Sequence, residues 1–139
     1  MNVSAEFEGV TIVYPGSTFS SRQKLRVASA GFQTQWFLSE VALSYLEKGS
    51  NEQYQRLAKG AVLAHIGITL LYQTALKNEE TGDVVAIADA LRVNRGRVSI
   101  ALLVPALFDA WRLYGKPPKW VPLFSRGTKG LGIAWLWNL

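Results

Sequence analysis

The sequence predicts an all-α fold: a small bundle of about four helices, with an extended N-terminal arm and an irregular aromatic C-terminal tail. Three observations carry this. Apolar residues recur at helical spacing through the middle of the chain. Capping patterns precede those stretches, and Gly or Pro closes them. The 139 residues, 49% hydrophobic and 18% charged, fit one globular domain that buries roughly two thirds of its unfolded surface.

The arm covers residues 1–19. Within it, Val10-Thr11-Ile12-Val13-Tyr14 is β-branched and aromatic and Pro15-Gly16 marks a turn, so an extended path is expected. A helical body follows over residues 20–118. Ser20-Ser21-Arg22-Gln23 matches a capping box, which starts a helix that ends at Lys48-Gly49. Leu25, Ala28, Phe32, Trp36, Leu43 and Leu46 form its main stripe, and Phe37, Val41 and Tyr45 form a second. Two stripes imply contacts on two sides. Ser50-Asn51-Glu52-Gln53 repeats the capping pattern ahead of a second helix, whose expected inner face is Tyr54, Leu57, Ala61, His65, Ile68, Tyr72 and Ala75. The short connection at Gly49 makes the pair a tight hairpin.

Residues 78–83 read as a polar turn and 84–93 as a short helix. Asn94-Arg95-Gly96-Arg97 interrupts or kinks it, and helical spacing resumes over 98–114 with Leu102, Leu103, Ala106, Leu107, Ala110 and Trp111. Pro105 removes a backbone donor, so it bends this element or starts a new helix near Val104. Gly115-Lys116-Pro117-Pro118 ends the body. In residues 119–139, Trp120, Phe124, Trp135 and Trp137 are separated by a Gly-rich stretch. This reads as a tail docked by its aromatics on the body or on a neighbouring subunit.

Composition narrows function mainly by exclusion. There is no Cys, which removes disulfides, thiolate metal sites and Cys nucleophiles. One His and no nucleophile–base pairing argue against an enzyme, a cofactor or a metal centre. His65 reads as a core or interface histidine with one hydrogen bond. Glu79, Glu80 and Asp83 lack the alternating spacing of a calcium loop and read as a solvated turn. The longest uncharged run, 60–76, falls short of the roughly 20 apolar residues a membrane span needs. Residues 1–14 lack the basic start and apolar core of a secretory signal.

Charge is the positive clue. From position 92 onward there are eight Lys or Arg against one acid, Asp109, whereas residues 27–91 carry four bases and seven acids. Such asymmetry points to a polyanionic partner. Arg92 and Arg95, three apart, are expected to share a helical edge, with Arg97 beyond the Gly96 break; guanidinium forks suit phosphate oxygens. The alternative is that these arginines pair with Asp89 and the acids of the 79–83 turn. Arg22, Lys24 and Arg26 put further cations at a helix start, where they oppose the helix dipole. In Gly127-Thr128-Lys129-Gly130-Leu131-Gly132, Lys129 and the glycines would let backbone amides approach a phosphate. Trp36 and Trp111 fit core packing better than base stacking.

The order Phe19-Ser20-Ser21-Arg22, a Tyr- and Leu-rich helical body, Arg92-Val93-Asn94-Arg95, then Leu107-Phe108-Asp109-Ala110-Trp111-Arg112-Leu113-Tyr114-Gly115-Lys116-Pro117-Pro118 resembles the layout of the all-helical coat proteins of rod-shaped and filamentous archaeal double-stranded DNA viruses. The resemblance implies a virion capsid subunit that pairs with itself or a related coat subunit, builds a helical filament and wraps duplex DNA in A-form. It makes Arg22, Lys24, Arg26, Arg92, Arg95 and Arg97 the DNA contacts, to which Lys129 is added from its own surroundings. Two other readings stay open. One is a helical subunit of a membrane-associated complex, with Trp120, Trp135 and Trp137 at the interface. The other is a small helical subunit of an RNA-guided nucleoprotein complex.

Overall fold

A computed structural model describes residues 6–8, 11–13, 19–76 and 82–138. The chain is all-α, with five helices among the described residues: α1 Ser21–Lys48, α2 Glu52–Leu71, α3 Asp83–Leu91, α4 Arg95–Tyr114 and α5 Trp120–Asn138; a π-helical turn, Tyr72–Leu76, extends α2. In the arm, Glu6–Glu8 (β1) pairs antiparallel with Thr11–Val13 (β2), Phe7 opposite Ile12. These two three-residue segments are therefore extended and paired; the rest of the arm up to residue 18, including the Pro15-Gly16 turn, lies outside the described residues.

Local chemistry sets the boundaries. At the start of α1 the Gln23 N–H donates to Ser20 Oγ at 3.3 Å and the Ser20 N–H donates to Gln23 Oε1 at 2.9 Å, the reciprocal capping expected. The second cap falls one residue later than the sequence pattern suggests. Asn51 Oδ1 accepts from the N–H groups of Gln53 and Tyr54 at 3.0 and 3.3 Å, leaving Ser50 in the connection. Gly49 cannot be larger, because a Cβ there would sit 2.5 Å from the Tyr45 ring.

The break near Arg92 differs from expectation. Arg92 closes α3 in the left-handed conformation (φ 54°, ψ 41°), and Asn94 opens α4 by accepting from the Gly96 N–H at 2.6 Å. Arg92 and Arg95 thus belong to different helices and share no edge. Pro105 starts no new helix: α4 continues through it, with the ring buried.

The tail is the largest correction, because residues expected to be irregular form α5. Three interior glycines cost about 1 kcal/mol each in helix propensity, but tertiary contacts offset this. One contact needs a glycine: a Cβ on Gly132 would come within 2.8 Å of the Trp36 ring, so its absence lets α5 close on α1.

Two apolar clusters hold the bundle. Leu25, Ala28, Phe32 and Trp36 of α1 meet Val84, Ile87 and Ala88 of α3, Val98 and Leu102 of α4 and Leu136 of α5. Further along α1, Ala42 and Leu43 meet Ala58 and Val62 of α2. The inner face of α2 is Ala58, Val62, His65 and Thr69, rotated from the expected one; small residues let α2 approach α1, and Leu57 and Ile68 turn outward. The second stripe of α1 is covered only at its end: Tyr45 packs against the second cluster and edge-on against Tyr54, whereas Phe37 and Val41 are exposed.

Candidate nucleic-acid interface and interior charge network

An apolar helix that carries a lone charge must find it a partner, because an unpaired buried ion costs several kcal/mol. The centre of this bundle meets that demand. Lys129 Nζ donates to Asp109 Oδ1 and Oδ2 at 2.7 and 2.8 Å, to Ser39 Oγ at 3.0 Å and to Glu40 Oε2 at 3.1 Å. Lys129 and Asp109 are both buried. Ser125 Oγ also donates to Asp109, at 3.1 Å. Lys129, expected to meet a phosphate, is thus committed internally. The glycines around it lie within α5, where the helical ladder engages their amides, so residues 127–132 form no phosphate cradle.

Two more bases of the C-terminal third turn the same way. The Arg112 guanidinium forks onto Glu40 at 2.7 and 3.0 Å and reaches Glu47 at 2.9 Å. Arg126 donates to Glu40 at 2.8 Å and to Glu47 at 3.0 Å. Sequence reasoning missed Glu40, Glu47, Asp109, Arg112 and Arg126 as one network. The available signal was spacing: Glu40 and Glu47 are seven apart, while Asp109/Arg112 and Arg126/Lys129 are each three apart, so each set shares a helix face.

Burial pulls the Glu40 carboxyl upward, but hydrogen bonds from Arg112 and Arg126 and the Lys129 charge outweigh it, holding the pKa at about 2. Burial dominates at His65 and pushes it down to about 4, with Asp109 opposing and Lys129 reinforcing. His65 Nε2 lies 3.5 Å from Asp109 Oδ2, and neither ring nitrogen makes a hydrogen bond with a described residue. The single hydrogen bond expected of it is not formed. Stability should therefore depend on pH in two steps. A depressed histidine contributes fully above its unfolded value near 6.5 and loses that contribution as pH falls toward 4, by at most about 1.4 kcal/mol per pH unit. The Glu40 contribution is lost between 4.5 and about 2. Urea titrations across pH should show both steps, and His65→Gln should abolish only the first.

The remaining predicted contacts lie elsewhere. Leu25 and Ala28 share a cluster with Val84, Ile87, Ala88 and Val98, which gathers the start of α1, the end of α3 and the start of α4 at one end of the bundle. Arg22, Lys24, Arg26, Arg92, Arg95 and Arg97 flank those core positions and are all exposed. Among the described residues they make no ion pair, and Asp89 takes up none of them. Arg26 lies 5.6 Å from the Trp137 ring centroid. Asp83 accepts from the Tyr72 hydroxyl at 2.9 Å; Glu79 and Glu80 lie outside the described residues. The N-termini of α1 and α4 add their positive dipole ends to the same surface.

The outer surface carries large apolar side chains on all four long helices. Phe37 and Val41 on α1, Leu57 and Leu70 on α2, Ile100 and Leu107 on α4, and Leu123 and Leu131 on α5 are all exposed. Trp36 is buried as expected, but Trp111 is 42% exposed, because it packs edge-on against Trp120 instead of the core. No described helix is long and apolar enough to cross a membrane. No group of three or more metal-ligating side chains occurs among the described residues. Comparisons with protein-family models, curated proteins and solved structures give no match.

Proposed function

We propose that this chain is a structural nucleic-acid-binding subunit of a multi-copy assembly, specifically a coat subunit that packages viral double-stranded DNA in a helical filament. The division of its charges supports this reading most directly. Arg112, Arg126 and Lys129 in the body of the bundle are met by the chain's own carboxylates, whereas six bases gathered at one end are exposed without an ion pair among the described residues. Such a surface grips phosphates by charge and shape without reading bases. Apolar outer faces on all four long helices suit a subunit flanked by copies of itself, since exposed apolar patches of this extent mark interaction surfaces.

The purified protein should bind duplex DNA of any sequence. With about six phosphates neutralised, log K should fall against log salt with a slope near −5, and negative-stain microscopy should show filaments only when DNA is present. A salt-insensitive affinity rejects the reading. Preference for single-stranded RNA in competition rejects DNA packaging in favour of an RNA-guided complex.

A further inference from the structure

We propose that the end of the bundle opposite the six bases carries a second, separate surface, which docks on an anionic lipid bilayer. It is built where α4 turns into α5. Phe108 and Trp111 from α4 and Trp120 and Phe124 from α5 form a continuous ring cluster, with centroids 5.1 Å apart for Phe108–Phe124 and 6.0 Å for Trp111–Trp120. Trp120 also lies 6.3 Å from both Phe108 and Phe124. The cluster is half open to solvent, and Tyr114 and Leu123 beside it are 74% and 69% exposed.

Charge selects the occupant. Lys116 and Lys119, on the turn between the two helices, are exposed and make no ion pair with a described residue. The carboxylates at this end are engaged: Glu47 by Arg112 and Arg126, and Glu52 by Arg56 at 3.8 Å. A second copy meeting this patch across a two-fold axis would bring its lysines against their own mates in an apolar seam, which like charges disfavour. Single-stranded bases need open ring faces on which to stack. Here Trp111, Trp120, Phe108 and Phe124 meet largely edge to face, at 77–86° for the pairs that include Trp120. A bilayer surface accepts both features, since indole and phenol rings settle at headgroup depth and lysines meet anionic headgroups. Because no described helix can cross a membrane, the contact is superficial.

The proposal does not depend on the nucleic-acid reading, because α4 runs its full length of 20 residues, roughly 30 Å, between the two ends. Together the surfaces would tether a nucleoprotein to a membrane. The test is flotation of the full chain with vesicles of phosphatidylcholine alone or containing one part in about five phosphatidylserine. Wild type should float with the serine-containing vesicles. Lys116→Glu/Lys119→Glu and Trp120→Ser/Phe124→Ser should each reduce that binding about tenfold or more. Arg92→Ala/Arg95→Ala/Arg97→Ala should float like wild type. The lysine changes touch no core residue, so they decide the matter even if the aromatic variant unfolds. Three results would overturn the proposal: wild type remaining unbound to both vesicles, the lysine variant floating like wild type, or the arginine variant losing flotation. Loss of duplex binding by the lysine variant with flotation intact would likewise sink it and make this a nucleic-acid surface.

Discussion

Lys129→Met should destabilise the fold by about 3–5 kcal/mol, the cost of leaving a buried carboxylate without its counter-ion. Asp109 is fully buried and faces Lys129 through both oxygens, so removing the ammonium strands a charge that Ser125 alone cannot satisfy. In a domain of this size the thermal midpoint should fall by about 10 °C or more. Lys129→Met combined with Asp109→Leu should recover most of the loss, because a buried pair exchanged for apolar residues of similar volume is often neutral or stabilising. Urea denaturation of the two single variants and the double variant checks this. A loss below about 1 kcal/mol for Lys129→Met would mean that the pair is hydrated and only weakly coupled to folding.

Arg92→Ala/Arg95→Ala/Arg97→Ala should cut the salt slope of duplex binding from about −5 to about −3, since three of six phosphate contacts go. Thermal stability should barely change, as the three side chains are exposed and make no ion pair with a described residue. Arg92→Gly separates binding from backbone effects. The left-handed conformation at position 92 costs a side chain roughly 1 kcal/mol that glycine avoids, so this variant should be more stable while giving up about one unit of slope. Titration at several salt concentrations, paired with thermal unfolding, reads both. An unchanged slope in the triple variant removes this end from the nucleic-acid reading.

How far the sequence could be read followed the range of the forces involved. α1 was legible because its signals are local: a capping box at Ser20, a closing Gly49, and bulky apolar residues at helical spacing between them. The exposed arginines and lysines were legible as a group for the same reason. α5 was not, because its glycines argue locally against a helix, whereas its compensation comes from Glu40, Asp109 and Trp36, which are 16 or more positions from the α5 residues they meet. Lys129 was misassigned on the same account: next to glycines it looks accessible, and only the meeting of α1, α4 and α5 reveals its carboxylate. The inner face of α2 was missed because residue size, not hydrophobicity, selected it, with Ala58 and Val62 buried while Leu57 faces outward.

Helix α1 has 28 residues, about 42 Å of continuous rod, and it touches every other helix of the bundle. Both apolar clusters are anchored along this single beam, one toward each extremity. The two halves therefore lack independent footing: loosening either one frees the spine on which its counterpart is assembled, and the molecule responds to load as a single mechanical body.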